Sequence, residues 1–173
     1  QAGERVESSR RQLSATLENT PNVAVQWYDN LGKVIYWNTA SEQLYGWSAD
    51  EAMGKTLDRL IFTRDDAARC SSVFDEVLAT GKPDGPTEYA TRTRSDELRW
   101  VESTAFLIPG TDSAQKILVC MDVDVTERKL AEQKLAEFNR DFEGFLNQTT
   151  DFVYFKDADS RFRFCSQTLA DIT

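Results

Sequence analysis

Cysteine, histidine and the acidic residues decide what covalent, metal or proton-transfer chemistry a chain can support. The three cysteines here, Cys70, Cys120 and Cys165, lie far apart, are odd in number and fit no metal-ligand spacing. They read as free thiols in a reducing compartment, which makes the cytoplasm the expected location. There is no histidine. A Ser/His/Asp triad, a His-ligated haem and a phospho-accepting histidine are therefore excluded within this segment. General acid–base catalysis also loses its commonest group near neutral pH, so a non-enzyme is expected. The 29 acidic residues outnumber the 20 basic ones, for a net charge of −9. That balance favours solubility and is the opposite of a nucleic-acid footprint.

The elements that would position these groups follow from periodicity. The 173 residues, 40% of them hydrophobic, suffice for one ordinary domain plus extra elements. No apolar run approaches the roughly 20 residues of a membrane span, so no membrane contact by this segment is expected. The first residue, Gln1, reads as the start of a piece of something longer. Residues 1–19 suggest an N-terminal linker helix with a thin stripe of Val6, Leu13 and Leu17. "VAVQWYDNLGKVIYWN" reads as a hairpin turning at "DNLG". Three helices follow. "NTASEQLYG" has Asn38 as N-cap and Gly46 as its stop, and "SADEAMG" carries a Ser48/Glu51 capping box. "TRDDAARCSSVFDEVLATG" has a helical stripe of Ala67, Cys70, Phe74, Val77 and Leu78. After the turn "GKPDGP" come the strands "TEYATRTR", "RWVESTAFLI" and "KILVCMDVDV". This order predicts an α+β domain over residues 20–126, a five-stranded antiparallel sheet with short helices on one face.

The last strand runs into a helix with no Gly or Pro between them, and Asp124 and Glu127 form a D-x-x-E pair suited to cap it. In that connecting helix, residues 127–146, Ala131, Leu135, Phe138, Phe142 and Phe145 are spaced 4, 3, 4, 3. This is an a/d seam for a second chain, or else a face that packs on the chain's own sheet. Residues 147–173 repeat the first hairpin at an offset of 128, with Asp157 on Asp29, Val153 on Val25 and Phe155 on Trp27. They read as the start of a second, truncated domain.

The segments "DNLGKVIYWNTASEQLYGWSADEAMGK", "RWVE" and "DVDVTERK" together resemble the PAS domain, the sensory box of bacterial signalling proteins. The last matches that family's closing D-[IV]-T-E-R-K motif through Asp124, Val125, Thr126, Glu127, Arg128 and Lys129. The resemblance implies a module that senses a ligand, light, redox state or a partner. It implies a signal leaving through flanking helices to an output domain of the same parent chain, such as a histidine kinase or a cyclic-dinucleotide enzyme. Asp124, Thr126 and Glu127 would be the relay junction, and a homodimer would form along the seam.

By resemblance to flavin-binding relatives, the helix-facing side of the sheet would carry Gln26, Tyr28, Tyr89, Thr91, Val101, Ser103, Ala105, Leu118, Cys120 and Asp122. The small residues of the fourth strand would leave room, and the polar groups would orient a small-molecule ligand. Asp122 would bond Tyr28, meet a cationic or hydroxylated ligand, or turn outward. Flavin-adduct photosensors need a cysteine three residues after the Gly of the second short helix. Here Gly54 is followed by Lys55, Thr56 and Leu57, so adduct chemistry is not expected. A non-covalently bound flavin is still permitted. The opposite face, with Val25, Trp27, Trp100, Phe106, Val119 and Met121, is too apolar to stay wet and calls for a flanking helix of this chain or of a partner. Two other readings stay open: a dimerisation module with a filled core, and a small α+β enzyme using Asp122 and Tyr28.

Overall fold

The structure is a computed structural model that describes residues 15–18, 20–62, 64–110 and 116–171. The expected N-terminal helix falls largely outside the described residues, as do Val6 and Leu13; residues 15–18 are helical. The chain divides into two compact units, Gln1–Thr126 and Glu127–Thr173.

The first unit contains β1 (Val23–Tyr28), β2 (Val34–Trp37), α1 (Thr39–Tyr45), α2 (Ala49–Ala52), a 3-10 turn (Leu57–Arg59), α3 (Arg64–Thr80), β3 (Asp84–Arg92), β4 (Leu98–Pro109) and β5 (Lys116–Asp124). The strands form the five-stranded antiparallel sheet that the patterning predicts, and their order in it is β2-β1-β5-β4-β3. Because side chains alternate along a strand, the register arranges them in rows across the sheet. Gln26, Cys120, Ala105 and Asp84 make one row, and Ala24, Asp122, Ser103 and Thr87 the next. β3 starts earlier than the turn-like "GKPDGP" suggests. A register shift between Asp84 and Thr87 lets the strand begin at Asp84. Gly85 sits in that shift at φ +98, where a Cβ would collide with the Ser103 carbonyl oxygen.

Local capping holds the helices over the sheet. Asn38 caps α1 by accepting from Ser41 N, and Gly46 ends it in the left-handed conformation at φ 76. Ser48 and Glu51 form the expected capping box of α2. The core between helices and sheet is built from residues such as Tyr28, Val34, Trp37, Tyr45, Leu57, Ile61, Val77 and Leu118.

The second unit consists of the helix α4 (Thr126–Gln148, of which Thr126 closes the first unit), a hairpin of β6 (Tyr154–Lys156) and β7 (Phe162–Cys165), and a short α5 (Gln167–Ala170). Its hairpin repeats the first bond for bond. Asp29 Oδ1 accepts from Leu31 N and Lys33 N, and Asp157 Oδ1 accepts from Asp159 N and Arg161 N. Asn38 N donates to Val25 O, and Ser166 N to Val153 O. The Phe142 ring of α4 packs edge-on against Phe155 and Phe164, with centroids 5.6 and 5.7 Å away. Of the expected seam, Phe142 is thus engaged by its own hairpin. Ala131, Leu135, Phe138 and Phe145 are exposed, the last three at 60%, 64% and 53%.

Candidate functional site: a buried acidic cavity

Asn38 fixes the corner from which the site is built. Its Oδ1 accepts from Val25 N and Ser41 N, both at 2.9 Å, and its Nδ2 donates to Leu17 O and Val23 O. Ser41 is thereby held over β1, where its Oγ accepts from Gln26 Nε2 at 3.1 Å. One turn further along α1, Tyr45 is fully buried, its ring 5.5 Å from that of Trp37. The carbonyl of Tyr45 accepts from Arg94 N at 2.8 Å, which ties the end of α1 to the β3–β4 turn. So positioned, the Tyr45 hydroxyl donates to Asp122 Oδ2 at 2.7 Å. Ser103 and Gln26 lie beside this carboxylate on the same cavity and act on it as well.

Around the cluster lies a small cavity of about 20 Å³, measured as space open to the centre of a water-sized sphere. That is room for about one water. The sheet side is Gln26, Tyr28, Tyr89, Val101, Ser103, Ala105, Cys120 and Asp122, with Asp84 at the β3 bulge. Tyr45, Leu57, Ile61, Phe62 and the α3 residues Cys70, Val73 and Phe74 close the helix side. Leu57, Phe62, Cys70 and Phe74 also line a second, more open cleft of about 210 Å³, together with Leu31, Ala67, Ser71 and Asp58.

A family described as "PAS fold" matches residues 17–130. The chain belongs to the PAS family. No curated protein matches it. Among solved structures, the PAS domain of a protein from Colwellia psychrerythraea is similar at TM-score 0.60 and 21% identity, covering 68% of this chain and 97% of that one. The PAS domain of an HTR-like protein from Haloarcula marismortui is similar at TM-score 0.56 and 17% identity, covering 71% and 97%. The PAS domain of the Cronobacter turicensis quorum-sensing receptor RpfR, in complex with C12:0, is similar at TM-score 0.51 and 18% identity, covering 62% and 98%. At these identities the likeness is one of fold. PAS domains are typically sensory, non-catalytic modules that bind small ligands.

The electrostatics of this PAS cavity are dominated by burial. Asp122 is 4% exposed, and desolvation raises its pKa above the ordinary value of 3.8 while the donors from Ser103, Tyr45 and Gln26 pull it down. Tyr28 and Tyr45 are both pushed well above an ordinary phenol, first by burial and then by nearby acidic groups that include Asp122. Burial, and then Asp122, push the Cys70 thiol up to about 12, and the same two causes raise Cys120. Both buried cysteines are therefore protonated and inert at neutral pH, whereas Cys165 is exposed. A thiol titration of the native chain should count one fast-reacting thiol, with the other two appearing only in denaturant. Two or three fast thiols would show that the cavity opens readily. Among the described residues, no group of His, Cys, Asp or Glu is placed to hold a metal ion, and no helix is long and apolar enough to cross a membrane.

The expected pocket residues divide by depth. Gln26, Tyr28, Tyr89, Val101, Ser103, Ala105, Cys120 and Asp122 line the cavity. Thr91 and Leu118 share the inward face but stand away from it. The Thr91 hydroxyl donates to Arg99 O, and Leu118 lies opposite Tyr28 in the core. The partner of Asp122 is Tyr45 rather than Tyr28, whose hydroxyl makes only a long 3.5 Å contact with Gln26 Oε1. The small fourth-strand residues do not leave an open chamber, because the rings of Tyr28, Tyr45 and Phe74 take up the space. A flavin does not fit the cavity in this form. Leu57, at the adduct-cysteine position, does line the cavity, but as an unreactive side chain.

The expected relay junction is built differently from a reciprocal cap. Asp124 Oδ1 accepts from Thr126 N at 2.8 Å, two residues on, and Glu127 takes no part in that bond. Val125 N donates to Trp100 O at 2.9 Å, which extends the β4–β5 ladder by one step. Trp100 N then donates to Thr126 Oγ1 at 2.9 Å instead of to a backbone carbonyl. The Thr126 side chain stands in for the ladder while its backbone enters α4, so the sheet ends and the helix begins with no unpaired donor between. Arg99 Nη1 lies 3.5 Å from Asp124 Oδ2 across the same step.

Proposed function

We propose that residues 20–126 form a ligand-sensing PAS domain whose state is relayed through the Trp100–Thr126 junction into α4, in a multidomain signalling protein that is not itself catalytic in this segment. The carrying observation is a buried carboxylate and polar partners gathered on one small cavity between sheet and helices. Polar groups packed that way orient something or bond each other. Ser103 and Asp122 sit two or three residues from Trp100 and Asp124 on the same strands, so a change at the cavity reaches the junction by a short path. Residues 147–173 would begin a second domain of the same kind, since their hairpin repeats the first bond for bond. The exposed seam of Ala131, Leu135, Phe138 and Phe145 would pair with a second copy.

The relay is tested by rotating the helix. An α-helix turns by about 100° per residue, so one residue inserted after Lys134 swings the following apolar positions off the seam. Seven residues restore it at about 3.5 residues per turn. With the segment fused to a reporter kinase, insertions of one to seven residues should give periodic output, near wild type at seven. Output that ignores insertion length, or falls smoothly with it, would make α4 a spacer. The small size of the cavity favours one other reading, a dimerisation module with a filled core. It predicts that no small molecule perturbs the cavity.

A further inference from the structure

Resting on the sensory reading above, we propose that the cavity and the adjoining cleft together take a small organic amine, with its ammonium group beside Asp122 and its apolar tail in the cleft. Two carboxylates line the inner cavity, Asp122 at its polar cluster and Asp84 at the β3 bulge, and Asp58 lines the outer cleft. Among the described residues lining either space there is no lysine or arginine. Arg69 covers the ring of Tyr89, 4.9 Å from its centroid, but belongs to neither lining. The buried carboxylate accepts from the neutral Tyr45 hydroxyl and has the neutral Ser103 and Gln26 beside it on the cavity wall.

The rings of Tyr28, Tyr45, Phe62, Phe74 and Tyr89 line the inner cavity, beside the thiols of Cys70 and Cys120 and the aliphatic side chains of Leu57, Ile61, Val73, Val101 and Ala105. Ring faces attract a cation, most strongly where water is excluded. The inner cavity of about 20 Å³ matches a single water-sized group, which is the size of an ammonium head. The outer cleft of about 210 Å³ has the apolar surfaces of Leu31, Leu57, Phe62, Ala67 and Phe74 for a tail. The two spaces share Leu57, Phe62, Cys70 and Phe74 as a common wall, and Phe74 is only half-buried, so a rotation of its ring would join them. A carboxylate-headed ligand would meet the carboxyl groups of Asp122 and Asp84 in a largely apolar site, which opposes an anionic head.

The test uses probes of one shape and three charges: hexylamine, hexanol and hexanoate. Each is titrated by calorimetry and by melting temperature into the full chain and into Asp122→Asn. Hexylamine should bind at least 10-fold tighter than hexanol, with no response to hexanoate. Asp122→Asn should weaken the amine far more than hexanol, so that the two bind alike. Should that variant fail to fold, Asp84→Asn must still weaken the amine selectively. Hexanol or hexanoate binding as well as the amine would overturn the amine assignment and leave the sensory pocket standing. Amine binding that survives both substitutions would place it on the acidic surface and overturn the proposal. No binding by any probe would overturn it as well, and the pocket itself is then judged by amide shifts from a broader set of compounds.

Discussion

Asn38→Ala should unfold the first unit at a temperature roughly 10–20 °C below wild type, from a loss of about 3 kcal/mol or more. The side chain is fully buried and does three jobs at once. Its oxygen caps α1 at Ser41 N and also accepts from Val25 N, while its amide nitrogen donates to two main-chain carbonyls. Alanine leaves both donors and both carbonyls without these partners. Loss of an N-cap alone is worth about 1 kcal/mol, and each buried group stranded adds about 1–3 kcal/mol. The chain's own repeat supplies the control. Ser166, at the equivalent place, accepts from Val153 N at 3.2 Å and donates to Asp151 O at 2.9 Å, so it keeps the strand contact but not the cap. Asn38→Ser should therefore lose clearly less than Asn38→Ala in thermal or urea melts. Equal losses, or a loss below about 1 kcal/mol for alanine, would show that water replaces this corner.

Asp122→Asn should melt higher than wild type at pH 7, and the gap should close as the pH is lowered toward 4. Burial raises the folded-state pKa of Asp122 above 3.8, its value in an unfolded chain. For a carboxyl shifted upward, stability is full below the unfolded value and falls as the pH rises through the folded one. As the pH rises above 3.8, the wild type must either ionise a desolvated carboxylate or hold a proton that the unfolded chain releases, and both cost stability. Asparagine is neutral, keeps the shape and still offers an oxygen to Tyr45, so it lacks that pH dependence. Melting curves of both proteins between pH 4 and 8 decide the matter. A variant less stable by the same margin at every pH would mean that the donors from Tyr45, Ser103 and Gln26 outweigh burial.

Much of this was legible in the sequence because it is local. Alternation in "KILVCMDVDV" and "RWVESTAFLI" sets which side chains share a face, so Ser103, Ala105, Cys120 and Asp122 fall together whatever else happens. Asn38, Gly46 and the Ser48/Glu51 pair are signals read within a few residues of themselves. Tyr45 escaped because nothing near it in sequence says that the end of α1 reaches 77 residues ahead to Asp122. Asp84 escaped because "GKPDGP" looks like a turn, and only the close approach of Gly85 to β4 makes it the start of a strand. The size of the cavity was hidden for a further reason. Parity reports the direction of a side chain, not how far the rings of Tyr28, Tyr45 and Phe74 lean into the space. At the junction, the D-x-x-E spacing pointed to Glu127, whereas the bond to Trp100 is made by Thr126. That substitution of a hydroxyl for a ladder carbonyl depends on β4 being alongside, which local spacing does not encode.

Sensing at the cavity and reporting at the Trp100–Thr126 junction, as proposed, can be read in the same experiment. Amide shifts of the labelled chain, recorded by nuclear magnetic resonance against a set of small cationic, neutral and anionic compounds, test both halves in one measurement. At least one compound should move the amides of Gln26, Ser103 and Asp122 and, in the same titration, those of Trp100 and Val125 with the same midpoint. Cavity amides that no compound moves would contradict sensing, and cavity shifts that leave Trp100 and Val125 in place would contradict the relay.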